Sequence, residues 1–431
     1  MVGVRIRPDP IVDEVRLVIQ PPVSAASDFS MKRDGHPDNV VIVGGGFAGL
    51  YTALALARQP GHPSILLLEP NERFLFLPLL YELLSGELRP WEVAPHYDDI
   101  LAGHGVAWLQ DRVDSINATS RVLRTHGGRS VSFGQLVLAT GARPNTFGIP
   151  GADRHTLGFR DLNDVERLRQ LVVQLRRDRL PPQRIIIVGA GPTGVELACK
   201  LADMAGSGIT VELIERGPAV LPQARAFNRE QALMALRRRD VLLRLQTTVT
   251  AVLADSIQLQ HHPCDADPPR EEVLPANGVV WTAGLDFRPP ALTPAPEVDR
   301  LGRLRCGQDL RLMGHRNIFV AGDLASLPTE DGSSPPARSL PASAQVAFQQ
   351  APVLAENLMR SHHGQPLKPF TWKDLGEMIS LGRGEASLCG SGLALAGPAA
   401  FQIRRLAYLT RLPGLPQQLR VAAGWLTDWK A

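Results

Sequence analysis

Uninterrupted apolar runs, each closed by glycine or an acid, organise this chain. Val40–Val43 is apolar throughout, glycines follow, and Thr52-Ala53-Leu54-Ala55-Leu56-Ala57-Arg58 continues with helical character. An unbroken apolar run suits a parallel strand covered on both faces, so residues 39–58 predict strand, tight turn and helix. Ser64–Glu69 predicts the next buried strand. The plan returns over residues 184–215: strand at Ile185–Val188, glycine turn, helix through Met204, strand at Thr210–Glu215. Such a repeat predicts an α/β fold with two Rossmann-like dinucleotide-binding units. Shorter β-like runs occupy Val106–Leu109, Val122–Thr125 and Gln135–Ala139, and Asn317–Gly322 predicts a further buried strand. Pro144, Pro150 and Gly151 mark a linker, and Pro263–Pro275 reads as an exposed loop.

Each glycine turn carries a complete binding pattern. Gly44, Gly46 and Gly49, with Gly45, Phe47 and Ala48 between them, follow a strand and open a helix. The first glycine permits the turn, the second admits a pyrophosphate, and the third lets helix and strand pack closely. Helix N–H groups then hold the phosphates. Glu69 stands 20 residues beyond Gly49, where an acid meets ribose hydroxyls. Gly189, Gly191 and Gly194, with Thr193 inside the turn, repeat the pattern, and Glu215 lies 21 residues beyond Gly194. Two complete sites imply two nucleotides, most simply FAD and NAD(P)H, with hydride passing between them. Glu215 favours NADH because a carboxylate repels a 2′-phosphate, although neighbouring Arg216 could pair with one. Glu196, just past the last glycine and expected in the first helical turn, has two readings: a surface acid complementing the helix dipole, or a catalytic carboxylate facing the nicotinamide and flavin rings.

These units set the expected domains. Residues 39–150 with 300–360 form an FAD-binding domain, 151–299 an NAD(P)H-binding domain, and 361–431 a C-terminal segment. Residues 1–38, with Pro8, Pro10, Pro21 and Pro22, are expected to be a disordered extension, or sequence upstream of a start at Met31. They lack the apolar region of a signal peptide. No run of 18 apolar residues predicts a spanning helix. Across 431 residues the net charge is only +3, which argues against a nucleic-acid partner. The four cysteines, Cys199, Cys264, Cys306 and Cys389, form no closely spaced pair and are expected as reduced thiols. The histidines show no ligand spacing, with His261-His262 in the expected loop, so no metal site is predicted.

Further segments sharpen this reading: residues 71–95 (NERFLFLPLLYELLSGELRPWEVAP), 136–145 (LVLATGARPN), 279–285 (VVWTAGL), 317–327 (NIFVAGDLASL) and 341–358 (PASAQVAFQQAPVLAENL). With the two glycine turns they resemble the type II NAD(P)H:quinone oxidoreductases, the non-pumping NADH dehydrogenases, over about residues 39–431. Residues 74–95 look nearest the cyanobacterial and plastid branch of demethylphylloquinone reductases. The resemblance implies a glutathione-reductase-like flavoprotein fold. It also implies that Thr140 and Gly141 line the FAD path, that Val113 meets the adenine, and that Asp323 holds the ribityl chain. By spacing alone Asp323 could equally cap the next helix. Ala344, Gln345 and Gln349 match an element beside the flavin and quinone. Gln345 and Gln349 share one helical face, where their amides could donate to quinone carbonyls or merely form a polar surface. Leu77–Tyr81 could line the flavin edge or pack in the core.

The absence of a cysteine pair beside the first turn argues against disulfide-reductase chemistry. A sulfide:quinone oxidoreductase-like flavoenzyme and a nucleotide-binding redox sensor without turnover stand as alternatives. At the C-terminus, Arg404, Arg405, Arg411, Arg420 and Lys430 oppose only Asp428. Ile403, Leu406 and Ala407 share a helical face, and Ala422, Trp425, Leu426 and Trp429 follow helical spacing. An apolar stripe with tryptophans and flanking arginines suits a membrane interface. The same face could instead cover the protein's own core or a second copy in a homodimer. The membrane reading makes the chain a peripheral protein on the cytoplasmic face of a thylakoid or plasma membrane, with a membrane quinone as partner.

Overall fold

The computed structural model describes residues 37–178, 183–206, 208–262, 268–328 and 340–428. The expectations for residues 1–36, for Cys264, for Trp429 and Lys430, and for the side chains of Leu426 and Asp428 lie outside the described residues.

β1 (Asn39–Val43) leads through α1 (Phe47–Ala57) to β2 (Ser64–Leu68). α2 (Leu80–Leu84), β3 (Val106–Leu109) and β4 (Gln135–Leu138) follow. After α3 (Leu162–Asp178) come β5 (Gln183–Val188), α4 (Pro192–Ala205), β6 (Ile209–Ile214), β7 (Leu242–Arg244) and β8 (Gly278–Trp281). β9 (Ile318–Val320) and α5 (Ala344–His362) return to the first unit. The first sheet runs β9-β4-β1-β2-β3, and the second runs β7-β6-β5-β8 with Thr156–Leu157 at its edge, all parallel. Val40, Val41 and Ile42, like Ile185, Ile186 and Ile187, are wholly buried, which is why both strands read as unbroken apolar runs.

The two units share one hydrogen-bond wiring. Gly44 N–H donates to Leu68 O and Gly189 N–H to Ile214 O, both at 2.8 Å. Ala139 N–H donates to Val43 O at 2.8 Å and Thr282 N–H to Val188 O at 3.0 Å. Each glycine turn therefore opens at the carboxyl ends of its strands, where strand order reverses and nucleotides bind in such sheets.

Arg270–Pro275 pairs antiparallel with Ser256–His261, so the second half of the expected loop at Pro263–Pro275 is a strand. Only Leu274 of that strand is buried, which leaves little alternation to read. The C-terminal segment forms a meander of β10 (Glu377–Ser380), β11 (Ala386–Gly390) and β12 (Leu393–Gly397), then α6 (Pro398–Leu409) and α7 (Leu415–Asp428). It docks on both units. Arg225 Nη2 pairs with Asp374 Oδ2 at 2.8 Å, and Arg239 Nη2 with Glu385 Oε2 at 3.3 Å. Tyr51 of α1 donates its hydroxyl to Arg411 O. No helix among the described residues is long and apolar enough to cross a membrane.

Candidate functional site

Gly44 and Gly189 adopt φ of +102° and +104°, a region side chains rarely enter. A Cβ on Gly49 would stand 1.8 Å from Gly44 O, and one on Gly194 1.8 Å from Gly189 O. A Cβ on Gly46 or Gly191 would meet no protein atom within 4 Å. The outer glycines are thus required by packing, while the middle ones face open space. Neither α1 nor α4 carries a side-chain N-cap, which leaves first-turn N–H groups for a ligand. Open space bounded by helix amides fits a pyrophosphate in both turns. Phe47 sends its ring away, edge-on to Phe74 and Phe76 at 5.4 and 5.1 Å, while its backbone stays in the cradle with Ala48.

The two acids are held alike. Glu69 Oε2 accepts from Gly45 N–H at 2.7 Å, and its Oε1 from Asn71 N–H at 3.0 Å. Glu215 Oε2 accepts from Ala190 N–H at 2.8 Å, and its Oε1 from Gly217 N–H at 2.7 Å. Each carboxylate is fixed at the rim of its own cradle and keeps lone pairs for further donors. Arg216 is exposed beside Glu215.

Other expected residues gather around the first cradle. A Cβ on Gly44 would strike Ala139 O at 2.5 Å and Thr140 Cα at 3.0 Å, so the turn carrying Thr140 and Gly141 abuts it. Val113 begins a strand with its side chain in the core, so it offers a ligand only backbone. Asp323 lies in the turn Gly322–Leu324 directly after β9, and Gly322 packs against Ala48. Burial raises the Asp323 carboxyl, against the lowering pull of Arg160 and Arg303. Asp323 does not cap the next helix: Ser343 Oγ does, accepting from Val346 N–H at 3.3 Å, directly before Ala344. Sequence reasoning missed Gln350, buried in α5, whose Oε1 accepts from Gly322 N–H at 2.6 Å. No local motif distinguishes it from Gln349.

Gln345 and Gln349 do share a face, and each amide is already engaged by backbone, with one N–H of its Nε2 left over. Gln345 Nε2 donates to Gly376 O at 3.0 Å and its Oε1 accepts from Leu375 N–H at 3.2 Å. Gln349 Nε2 donates to Lys373 O at 2.9 Å and its Oε1 accepts from Lys373 N–H at 3.1 Å. The pair staples α5 to the loop entering β10.

Glu196 is neither a surface acid nor a first-turn residue. It is the fifth residue of α4 and buried, its Oε1 accepting from Ser380 N–H at 2.6 Å and lying 3.8 Å from Arg404 Nη2. Burial pushes its carboxyl up to about 7, against the pull of Arg404 and the Ser380 N–H. Tyr81 faces it, and burial followed by the Glu196 charge holds that phenol well above its ordinary range. Leu79 and Leu80 are core residues.

The C-terminal helices keep the expected apolar face of α6 outward but turn Arg404 and Trp425 inward. Arg404 is buried, its Nη1 pairing with Glu82 Oε1 at 2.5 Å, and is no lipid-facing cation. Trp425 turns inward, donating to Glu92 Oε1 at 3.0 Å beneath Arg405 at 4.1 Å from its ring centre. Ile403 and Leu406 of the expected apolar face are exposed, at 41 and 60%, and Leu415 and Leu419 join them at 64 and 61%. Among the described cysteines, Cys199 and Cys306 are buried free thiols pushed up to about 12 by burial, and Cys389 is half-buried. Among the described residues no group of three His, Cys, Asp or Glu could hold a metal ion.

The sequence profile of the pyridine nucleotide-disulphide oxidoreductases matches residues 38–351. Demethylphylloquinone reductase NdbB of Synechocystis sp. is 39% identical over 92% of this chain and 98% of its own length. The alternative NAD(P)H-ubiquinone oxidoreductase C1, chloroplastic/mitochondrial, of Arabidopsis thaliana is 34% identical over 90% of this chain and 81% of its own. Among solved structures, NDH2 from Plasmodium falciparum in complex with NADH superposes with TM-score 0.78 at 18% identity, covering 91% of this chain and 98% of that one.

Proposed function

The chain belongs to the pyridine nucleotide-disulphide oxidoreductase family and within it to the type II NAD(P)H:quinone oxidoreductases, and from that premise we propose that it reduces a membrane quinone with NAD(P)H, using FAD and pumping no protons. The observation that carries this is the duplicated cradle, open above Gly46 and Gly191 with an acid fixed at each rim. FAD is held by Gly44–Gly49, Glu69, the Val113 backbone, Thr140, Gly141, Asp323 and Ala344. NAD(P)H is held by Gly189, Gly191, Thr193, Gly194 and Glu215. Bound flavin accepts hydride and passes on its electrons, while the chain positions both nucleotides and excludes water. Glu196, buried with its carboxyl pushed up to about 7, is the acid that supplies a proton in this reading.

Glu215 makes NADH the preferred donor. The Synechocystis relative points to a long-tailed naphthoquinone such as demethylphylloquinone as acceptor. Such a substrate resides in lipid, and the exposed leucines of α6 and α7 suit peripheral attachment to the cytoplasmic face of a membrane. Pairing of two copies would cover the same leucines. Buried, unpaired Cys199 and Cys306 give no support to sulfur-carrying chemistry.

Steady-state assay of the yellow recombinant protein with NADH, NADPH and a set of benzo- and naphthoquinones tests the reading. NADH-preferring reduction of a naphthoquinone is expected. A colourless protein that takes up no FAD, or one that reduces no quinone, would overturn it. E215Q should narrow the NADH preference about tenfold, or ~1.4 kcal/mol.

A further inference from the structure

Phe147 stands in the left-handed backbone region at φ +55°, with 62% of the residue exposed. A bulky side chain is strained there, and one so exposed recovers little by core packing. Its turn is nonetheless pinned from several sides. Asn145 Oδ1 accepts from Phe147 N–H at 2.8 Å. The indole N–H of buried Trp281, the last residue of β8, is shared between Asn145 O and Ala283 O, both at 2.9 Å. Thr146 donates its hydroxyl to Asp153 Oδ1, and Arg143–Pro144 pairs antiparallel with Leu285–Asp286. The ring itself lies on Gly284: a Cβ added there would strike two of its atoms at 2.4 and 2.6 Å.

Gly284 has a twin in the first unit. Ala139 and Thr282 make the same backbone bond, to Val43 O and Val188 O, and Gly141 and Gly284 each follow two residues later, at φ +66° and +74°. A Cβ on Gly141 would meet nothing within 4 Å, so that seat is open, whereas the seat on Gly284 is bordered by the Phe147 ring. Strand order says what the two seats face. In the first sheet Glu69 follows β2 on one flank of the β1 turn, while Thr140, Gly141 and Asp323 follow β4 and β9 on the other. In the second, Glu215 follows β6 on one flank of the β5 turn, while Ala283 and Gly284 follow β8 on the other. Ala283 abuts that turn, since a Cβ on Gly189 would stand 3.0 Å from it. A dinucleotide with its pyrophosphate at the α4 amides and its adenosine ribose at Glu215 therefore sends its other half across the end of β8.

The assignment of the second cradle to NAD(P)H, on which this inference rests, decides what the ring meets. We propose that Phe147 is a docking platform for the nicotinamide half of NAD(P)H, its ring packing on the pyridine and closing the cradle on the β8 side. Two rings desolvated together in offset or edge contact add to affinity. The strained, exposed conformation gains its partner only when the nucleotide is bound, and the adenosine side is untouched by it.

The test uses the full-length FAD-loaded protein, with NAD+ and ADP as probes in titration calorimetry. ADP carries the adenosine ribose and both phosphates but no nicotinamide half. F147N removes the ring and installs a residue that accepts the left-handed region. It should weaken NAD+ at least about tenfold, leave ADP within about twofold of the parent, and hold or raise the urea midpoint. F147W should keep NAD+ affinity within about threefold of the parent, and NAD+ but not ADP should quench its added indole emission. Flavin content should match the parent in both variants. Unchanged NAD+ affinity in F147N would overturn the platform, as would equal weakening of ADP, a lowered urea midpoint, or an added indole in F147W that NAD+ leaves unquenched. Failure of the parent to bind NAD+ would instead overturn the assignment of the second cradle, and the platform with it.

Discussion

Gly46 and Gly49 differ in what one methyl group would meet, and that separates a binding role from a packing role. G46A places its Cβ in open space at φ −65°, which alanine accepts. Its denaturation midpoint should stay near the parent's while FAD affinity, measured by flavin fluorescence, falls at least about tenfold. G49A drives a Cβ onto Gly44 O and should lose about 1–3 kcal/mol of stability in urea melts. Glu196 carries a pH signature. Its folded carboxyl titrates near 7 against the model-compound 4.5, so the folded state binds the extra proton between those values. Stability should therefore fall as pH rises from about 4.5 to 7, by up to about 3 kcal/mol from this group alone, and E196Q should flatten that slope in denaturant melts. The glycines, Glu69 and Glu215 were legible because each turn bonds its own acid within one supersecondary unit. The surroundings of Glu196 were not: its hydrogen-bond donor Ser380 lies 184 residues away along the chain.

Among elements, the parallel strands were legible because burial on both faces writes itself as an apolar run. The meander β10–β12 was not, since its first two strands mix polar and small residues and its third, apolar in sequence, is exposed or only half-buried. α6 was recognised as amphipathic, and its Ile403 and Leu406 are exposed as expected, but the inward turn of one cation was not foreseen: pattern alone shows that two faces differ, not which charge the core takes in. Arg404 is the case in point. Removing it by R404M leaves Glu82 without its guanidinium and should cost about 3–5 kcal/mol in urea denaturation. Losing that cation should also move the Glu196 titration upward. α5 was legible as a helix with paired glutamines, yet their staple to residues 373–376 was invisible, because backbone partners leave no trace in side-chain pattern.

For the molecule as a whole, the C-terminal segment is both structural and outward-facing. Deleting residues 401–431 would strip Arg404, Tyr408 and the Arg411 carbonyl from the core, so it would not isolate membrane attachment. L406Q, L415Q and L419Q combined touch only exposed positions. They should weaken binding to anionic vesicles about a hundredfold, at roughly 1 kcal/mol per inserted leucine, while NADH oxidation by a water-soluble quinone persists. Undiminished vesicle binding with a loss of dimer on sizing would assign the face to a second copy. One bond reaches further still. Glu82 and Arg404 meet across 322 residues of chain, both buried and each the other's shortest charge contact. Among descendants and cousins of this sequence, losing either one strands a buried charge, so comparison of enough relatives should show the two positions changing together more often than apart.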